Sequence, residues 1–276
     1  MNRKTEKTWM KLIFLCFVVL SIVLGCGLRP TVSADPLRGV CKLRQTFHDE
    51  FNGKSLDSSK WTTRFWWGDG YINDGSLNYY TDKNVSVTKG AAHIKVEKRA
   101  AGGKPYASSL INTYGKFAQT YGYWEVRTKI ASGDGLSSFF STGAVDRSWP
   151  PEIDVFEVPQ QERKVFMTNH YDAANKSNEG RWESPVALSR DYHTYGVLWR
   201  PNLLVFYIDS RERWRTTIGV PTKALYPSVG VGVCGGWCGD VAKVKLPRVM
   251  DIDYFRVYSE DCGRLTPVPT PTPNRR

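Results

Sequence analysis

Glu152-Ile153-Asp154-Val155-Phe156-Glu157 sets three carboxylates within six residues, separated only by large apolar side chains. A β-strand sends alternate side chains to opposite faces, so Glu152 and Asp154 share one face while Ile153 and Val155 turn into a core. Glu157 then has the wrong parity, and one β-bulge, which sets two residues opposite one, returns it to the acidic face. Carboxylates crowded in this way repel one another, which raises at least one pKa. Cleavage of a glycosidic bond needs that asymmetry: an ionised carboxylate to attack the anomeric carbon and a protonated one to give the leaving oxygen its proton. Neighbours leaning together along one strand favour the separation of about 5–5.5 Å of a retaining reaction over the roughly 6.5–9.5 Å of an inverting one. A solvated acidic edge strand and a calcium site are the other readings open to so short a pattern.

The surrounding chain must supply the sheet that carries this strand. His93-Ile94-Lys95-Val96-Glu97, Tyr123-Trp124-Glu125-Val126-Arg127 and residues 203–208 alternate apolar and polar, with Gly, Asn, Asp or Pro turns between such runs. No stretch has a helical period of useful length, and no repeat is present. A dozen or so short strands predict an all-β fold, a single β-sandwich of jelly-roll type.

A chain of 276 residues suits one large domain or two small ones and can bury a substantial core. Aromatic residues make up 13% of it, ten of them Trp, more than packing alone requires and suited to stacking on sugar rings. The net charge is +11, but residues 1–34 hold five basic residues against one acidic, leaving +7 scattered over the rest. No basic stripe or nucleic-acid motif is present, so the expected partner is a polysaccharide and not nucleic acid.

Arg3, Lys4, Lys7 and Lys11 precede the apolar run 12–24, and Val32-Ser33-Ala34 offers a small-residue cleavage site before Asp35. Residues 1–34 therefore read as an export signal, residues 35–262 as the catalytic domain and residues 263–276 as a disordered Pro/Thr-rich tail. The expected location is extracellular. Val23-Leu24-Gly25-Cys26 supports the alternative of a lipid anchor on Cys26, the one route expected to a membrane. Export makes Cys41, Cys234, Cys238 and Cys262 an even set, in which a Cys41–Cys262 bridge would tie the ends of the domain and Cys234–Cys238 could close a small loop, with a zinc site as the rival reading.

Several ordered motifs between residues 47 and 258 resemble the bacterial members of glycoside hydrolase family 16. They are Phe47-His48-Asp49-Glu50-Phe51-Asn52-Gly53, Leu77-Asn78-Tyr79-Tyr80-Thr81, Tyr121-Gly122-Tyr123-Trp124-Glu125-Val126-Arg127, the run Trp149-Pro150-Pro151 leading into the acidic stretch, and Asp251-Ile252-Asp253-Tyr254-Phe255-Arg256-Val257-Tyr258. The resemblance implies a concanavalin A-like jelly roll of two curved antiparallel sheets with a concave cleft, and a retaining, endo-acting hydrolase of β-1,3 or mixed β-1,3/1,4 glucans. Galactans of the agar and carrageenan type, transglycosylation and noncatalytic sugar binding are the alternatives. It assigns Glu152 as nucleophile, Glu157 as acid and then base, and Asp154 as the group between them. It implies substrate contacts from Trp149, Trp237 and His170. Glu125 and Arg127 share a strand face that is expected to be concave if Trp124 and Val126 turn inward. No cofactor is required, though Asp253 matches a position for a structural calcium, with Glu50 or nearby backbone oxygens as further ligands. The chain is expected to be a monomer. Gly135-Leu136-Ser137-Ser138-Phe139-Phe140-Ser141 departs from the tryptophan-rich segment of laminarin-cleaving relatives, and Ser76 stands where a Glu is usual.

Overall fold

The computed structural model describes residues 41–65, 70, 71, 73, 75–172, 174 and 176–261. The segment expected as an export signal, Cys26, Cys262 with its expected bridge to Cys41, and the Pro/Thr-rich tail lie outside the described residues.

Among the described residues sixteen strands follow in order: β1 (Lys42–Asp49), β2 (Asn78–Tyr80), β3 (Val85–Thr88), β4 (Ala91–Val96), β5 (Tyr106–Ser108), β6 (Leu110–Asn112), β7 (Gly122–Lys129) and β8 (Leu136–Ala144). They continue with β9 (Glu152–Pro159), β10 (Lys164–Asp172), β11 (Lys176–Glu183), β12 (His193–Arg200), β13 (Leu203–Ile208), β14 (Arg211–Thr216), β15 (Leu225–Val233) and β16 (Arg248–Asp261). One sheet runs β14-β13-β12-β7-β16-β4-β3, with β1 also on β16, and the other runs β11-β10-β9-β8-β15-β6. Every pairing in the two sheets is antiparallel; β2 and β5 form a short parallel pair apart from them. The jelly-roll sandwich expected from the sequence is the fold observed.

Alternation explains the layering. Trp124 and Val126 of β7 are buried while Glu125 and Arg127 are not, and Ile153 and Val155 of β9 are likewise interior. Side chains from both sheets meet in one apolar cluster, with Phe156 of β9 against Tyr195 of β12 at 4.1 Å between centroids and Phe140 of β8 against Phe255 of β16 at 5.2 Å. Such ring pairs add roughly 0.5–1.5 kcal/mol beyond the area they bury. The opening motif also has a local cause. Asp49, buried at the end of β1, accepts from Trp61 Nε1 at 2.8 Å and from the Phe51 amide at 2.9 Å, which fixes the chain where it leaves the sheet.

Candidate active site

A cleft of about 780 Å³ crosses the outer face of the six-stranded sheet. Its floor is built by register. Ser137, Phe139, Ser141 and Gly143 of β8 stand opposite Gly232, Gly230, Ser228 and Tyr226 of β15. Glycines face the two rings for steric reasons: a Cβ on Gly143 would lie 2.5 Å from Tyr226 Oη, and one on Gly230 would lie 2.8 Å from Phe139 Cζ. Each ring therefore lies across the neighbouring strand instead of standing out of it.

The acidic stretch forms β9 beside this floor. On β10, Thr168 pairs with Asp154 and Phe166 with Glu157, so Val155 and Phe156 together stand opposite Met167. This is the expected bulge. It returns Glu157 to the face of Glu152 and Asp154, and all three carboxylates line the cleft. Where β8 and β9 separate, Thr142 Oγ1 accepts from the Ile153 amide at 2.8 Å and replaces the missing ladder bond.

The three carboxyl groups differ in surroundings. Glu152 Oε2 accepts the Trp149 indole N–H at 2.8 Å. Burial raises its pKa, against the opposing pull of that bond and of the nearby His170. Asp154, only 5% exposed, is held well above the usual range by burial and then by Glu152, while Nε2 of His170 lies 3.1 Å from its Oδ2. Glu157 is also held well above the usual range, by burial first and then by Asp154 and Glu152. Glu152 therefore carries the stronger support for a negative charge, and Glu157 for a proton.

Trp149 and Trp237 are 52% and 51% exposed and both line the cleft, where a sugar face can reach them. Trp237 stands in a loop closed by the Cys234–Cys238 disulfide, and its carbonyl accepts from the Gln160 side chain. His170 pairs in register with Glu152 and is half-buried against Asp154 and the Trp149 ring.

Glu125 and Arg127 lie elsewhere, which corrects the expectation that their face is the concave one. Trp124 and Val126 do turn inward, but β7 sits between β12 and β16 in the eight-stranded sheet, so the polar face of β7 is the opposite outer surface of the sandwich. There Glu125 accepts from Tyr123 and Tyr254 at 2.6 and 2.7 Å, and Arg127 binds Asp253 at 2.6 Å.

The carboxylates expected to hold calcium do not fit that role. Asp253 is taken by Arg127, and Glu50 is gripped at both oxygens by Arg256 at 2.7 and 2.9 Å. A hard cation would have to displace a guanidinium from each. Among the described residues, the metal-ligating side chains that converge are Glu152, Asp154 and His170.

The sequence reading missed Tyr226, Ser228 and Phe139 as floor residues. Their signal was a glycine at alternate positions of Gly230-Val231-Gly232, since a glycine inside a strand marks a close approach.

Residues 73–254 match the family model described as glycosyl hydrolases family 16. Endo-1,3-1,4-beta-glycanase ExsH of Rhizobium meliloti is 33% identical over 250 residues, covering 79% of this chain and 52% of that protein. A beta-glucanase of Acetivibrio thermocellus is 30% identical over 227 residues, covering 79% of this chain and 64% of that protein. The catalytic domain of an endo-1,3-beta-glucanase (laminarinase) from Thermotoga petrophila superposes with a TM-score of 0.72 at 26% identity, over 80% of this chain and 99% of that one. The chain spans about half the length of the first curated relatives it matches. With the match extending over more than half of its residues and including all three carboxylates of β9, this chain belongs to glycosyl hydrolases family 16.

Proposed function

We propose that this chain is an exported, endo-acting, retaining β-glucan hydrolase that cuts β-1,3 or mixed β-1,3/1,4 linkages. One observation carries the reading: three carboxyl groups on one face of β9, opening on a cleft, with the Trp149 N–H at Glu152 and the highest proton affinity at Asp154 and Glu157. The names of the relatives, glucanases of both linkage types, agree with it.

In this scheme the ionised Glu152 attacks the anomeric carbon and forms the glycosyl-enzyme ester, while Glu157 gives its proton to the departing glycosidic oxygen. Asp154, between them and against His170, keeps the negative charge on Glu152 before attack and on Glu157 afterwards. Glu157, now ionised, takes a proton from water, whose oxygen attacks the anomeric carbon from the side the leaving group vacated. The ester breaks, and the sugar leaves with its original configuration. Trp149 and Trp237 supply apolar faces for the pyranose rings. No organic cofactor takes part.

The test is product release from laminarin, barley β-glucan, lichenan, agarose and carrageenan, with Glu152→Gln beside the wild type. Proton NMR of the first products reports the anomer. The expected result is cleavage of a glucan to β-anomeric oligosaccharides and a variant slowed by at least about a thousandfold, the scale for loss of a nucleophile. Binding without cleavage by the wild type would replace the enzyme reading with that of a sugar-binding protein, and α-anomeric products would remove the double displacement.

A further inference from the structure

The cleft has a second arm of about 530 Å³, over β10 and β11, which differs chemically from the first. Glu152 and Asp154 line only the larger arm, whereas Glu157 lines both. A group that protonates the leaving oxygen stands where the two halves of the cut chain part. The β10–β11 arm therefore takes the leaving-group side, an assignment that rests on the reading of Glu157 as acid.

Period two decides what this arm presents. Lys164, Phe166, Thr168 and His170 of β10 all line it, joined by Glu179 and Arg181 of β11. Phe166 meets the edge of Trp237 with ring centroids 5.8 Å apart, so the two rings form an aromatic corner. Two cations flank that corner, with Lys164 Nζ 5.3 Å and Arg181 Cζ 5.2 Å from the Phe166 centroid. They are not equivalent. Arg181 is paired with Glu179 on its own strand. Lys164 has no carboxylate within ion-pair reach among the described residues, and its cross-strand neighbour Glu183 is not bonded to it. An ammonium is a compact point charge on a flexible stem, suited to meeting an anion whose position varies along a polymer. A neutral glucan offers it only hydroxyl groups.

We propose that the β10–β11 arm is a subsite for a sugar carrying an anionic substituent, a carboxylate or a sulfate, with the Phe166–Trp237 corner holding the ring and Lys164 meeting the charge. The preferred substrate class is then an acid-decorated glucan, cut so that the charged unit leaves on the Glu157 side.

The test uses barley β-glucan and two derivatives of the same preparation, one lightly carboxymethylated and one lightly sulfated. The readout is kcat/KM on each derivative divided by kcat/KM on the parent, for wild type, Lys164→Gln and Lys164→Glu. Expected are a ratio that falls roughly threefold in Lys164→Gln and roughly tenfold in Lys164→Glu, the scale of an exposed charge removed and then reversed. In the wild type the ratio also falls as NaCl rises from about 20 mM to about 0.5 M, where screening becomes strong. A larger response with one derivative identifies the anion. Lys164 is exposed on its strand, and thermal melts confirm that both variants are folded. A ratio in Lys164→Glu within twofold of wild type on both derivatives overturns the subsite. Failure of wild type to cut any of the three polymers overturns instead the mixed-linkage glucan reading beneath it, and is seen before any variant is made.

Discussion

Trp149→Phe keeps an aromatic face over the cleft and removes one N–H. In the wild type that N–H reaches Glu152 Oε2 at 2.8 Å, and it opposes the effect of burial at this carboxyl more strongly than the charge of His170 does. Without it the protonated form of Glu152 gains ground and its pKa rises. On the proposed mechanism Glu152 must be ionised to attack, so the acid limb of kcat/KM moves to higher pH. A hydrogen bond to a charged group is worth about 1.5–3 kcal/mol. The indole is half exposed, so water recovers part of that. A net loss of roughly 1.4 kcal/mol corresponds to a displacement of about one pH unit. The limb belongs to Glu152 and Asp154 titrating together, whereas the basic limb follows Glu157 and stays in place. Initial rates on a cleaved glucan at low substrate, from about pH 4 to about pH 9, record both limbs. An acid limb that stays or moves down while the plateau falls would refute the argument, because the indole would then serve only as a sugar platform.

Two further outcomes follow from the same geometry. Burial and its neighbours hold the pKa of Glu157 above its unfolded value, so the folded chain keeps a proton that the unfolded chain releases, and stability falls as pH rises from the unfolded pKa toward the folded one. Glu157→Gln, which cannot ionise, should therefore melt higher than wild type at pH 7, by about 2–4 °C for each kcal/mol recovered, with the gain shrinking on acidification to about pH 4; an equal gain at both pH values would show that the carboxyl carries no such penalty. Because Arg127 and Arg256 occupy Asp253 and Glu50, millimolar calcium and EDTA should leave the melting temperature within about 1 °C of each other, whereas a cation at a hundredfold excess over its Kd would stabilise by about 2.7 kcal/mol and raise it by several degrees.

Parity along a strand is a local property, and what it fixes directly holds in the structure: the shared face of Glu152 and Asp154, the inward turn of Ile153, Val155, Trp124 and Val126, and the bulge before Glu157. Sheet membership is not local. Arg127 meets Asp253 across 126 positions, and β7 meets β16 through a pairing that no feature of residues 121–127 announces. Knowing that Glu125 and Arg127 share a face and that Trp124 and Val126 turn inward therefore left two outer surfaces to choose between, and the expectation took the wrong one. The pairing of Asp253 and Glu50 with guanidinium groups was hidden for a related reason, since Arg127 and Arg256 reach them from distant strand positions. The cleft floor was hidden differently. Tyr226 and Phe139 look like core residues in sequence, and only the cross-strand register with Gly143 and Gly230 lays their rings along the cleft.

The bulge in β9 answers a conflict that the acidic stretch creates. Desolvating three neighbouring carboxyl groups costs stability, and a strand bearing them needs compensation from its other face. A regular strand alternates one inward residue with one outward. By setting Val155 and Phe156 together opposite Met167, the bulge buries two consecutive apolar side chains where alternation would bury one. With Ile153 they are each at most 1% exposed, and Phe156 stacks near Tyr195 of the other sheet. Full burial of side chains of this kind contributes about 1.5–3 kcal/mol each. The same extra residue that returns Glu157 to the cleft thus adds an anchor to the core, so the strand that carries the carboxylates is held from its inner face. Rigid placement of Glu152 relative to Glu157 is a consequence of that packing, and the proposed double displacement depends on it, because a nucleophile and an acid must meet one glycosidic bond from fixed positions.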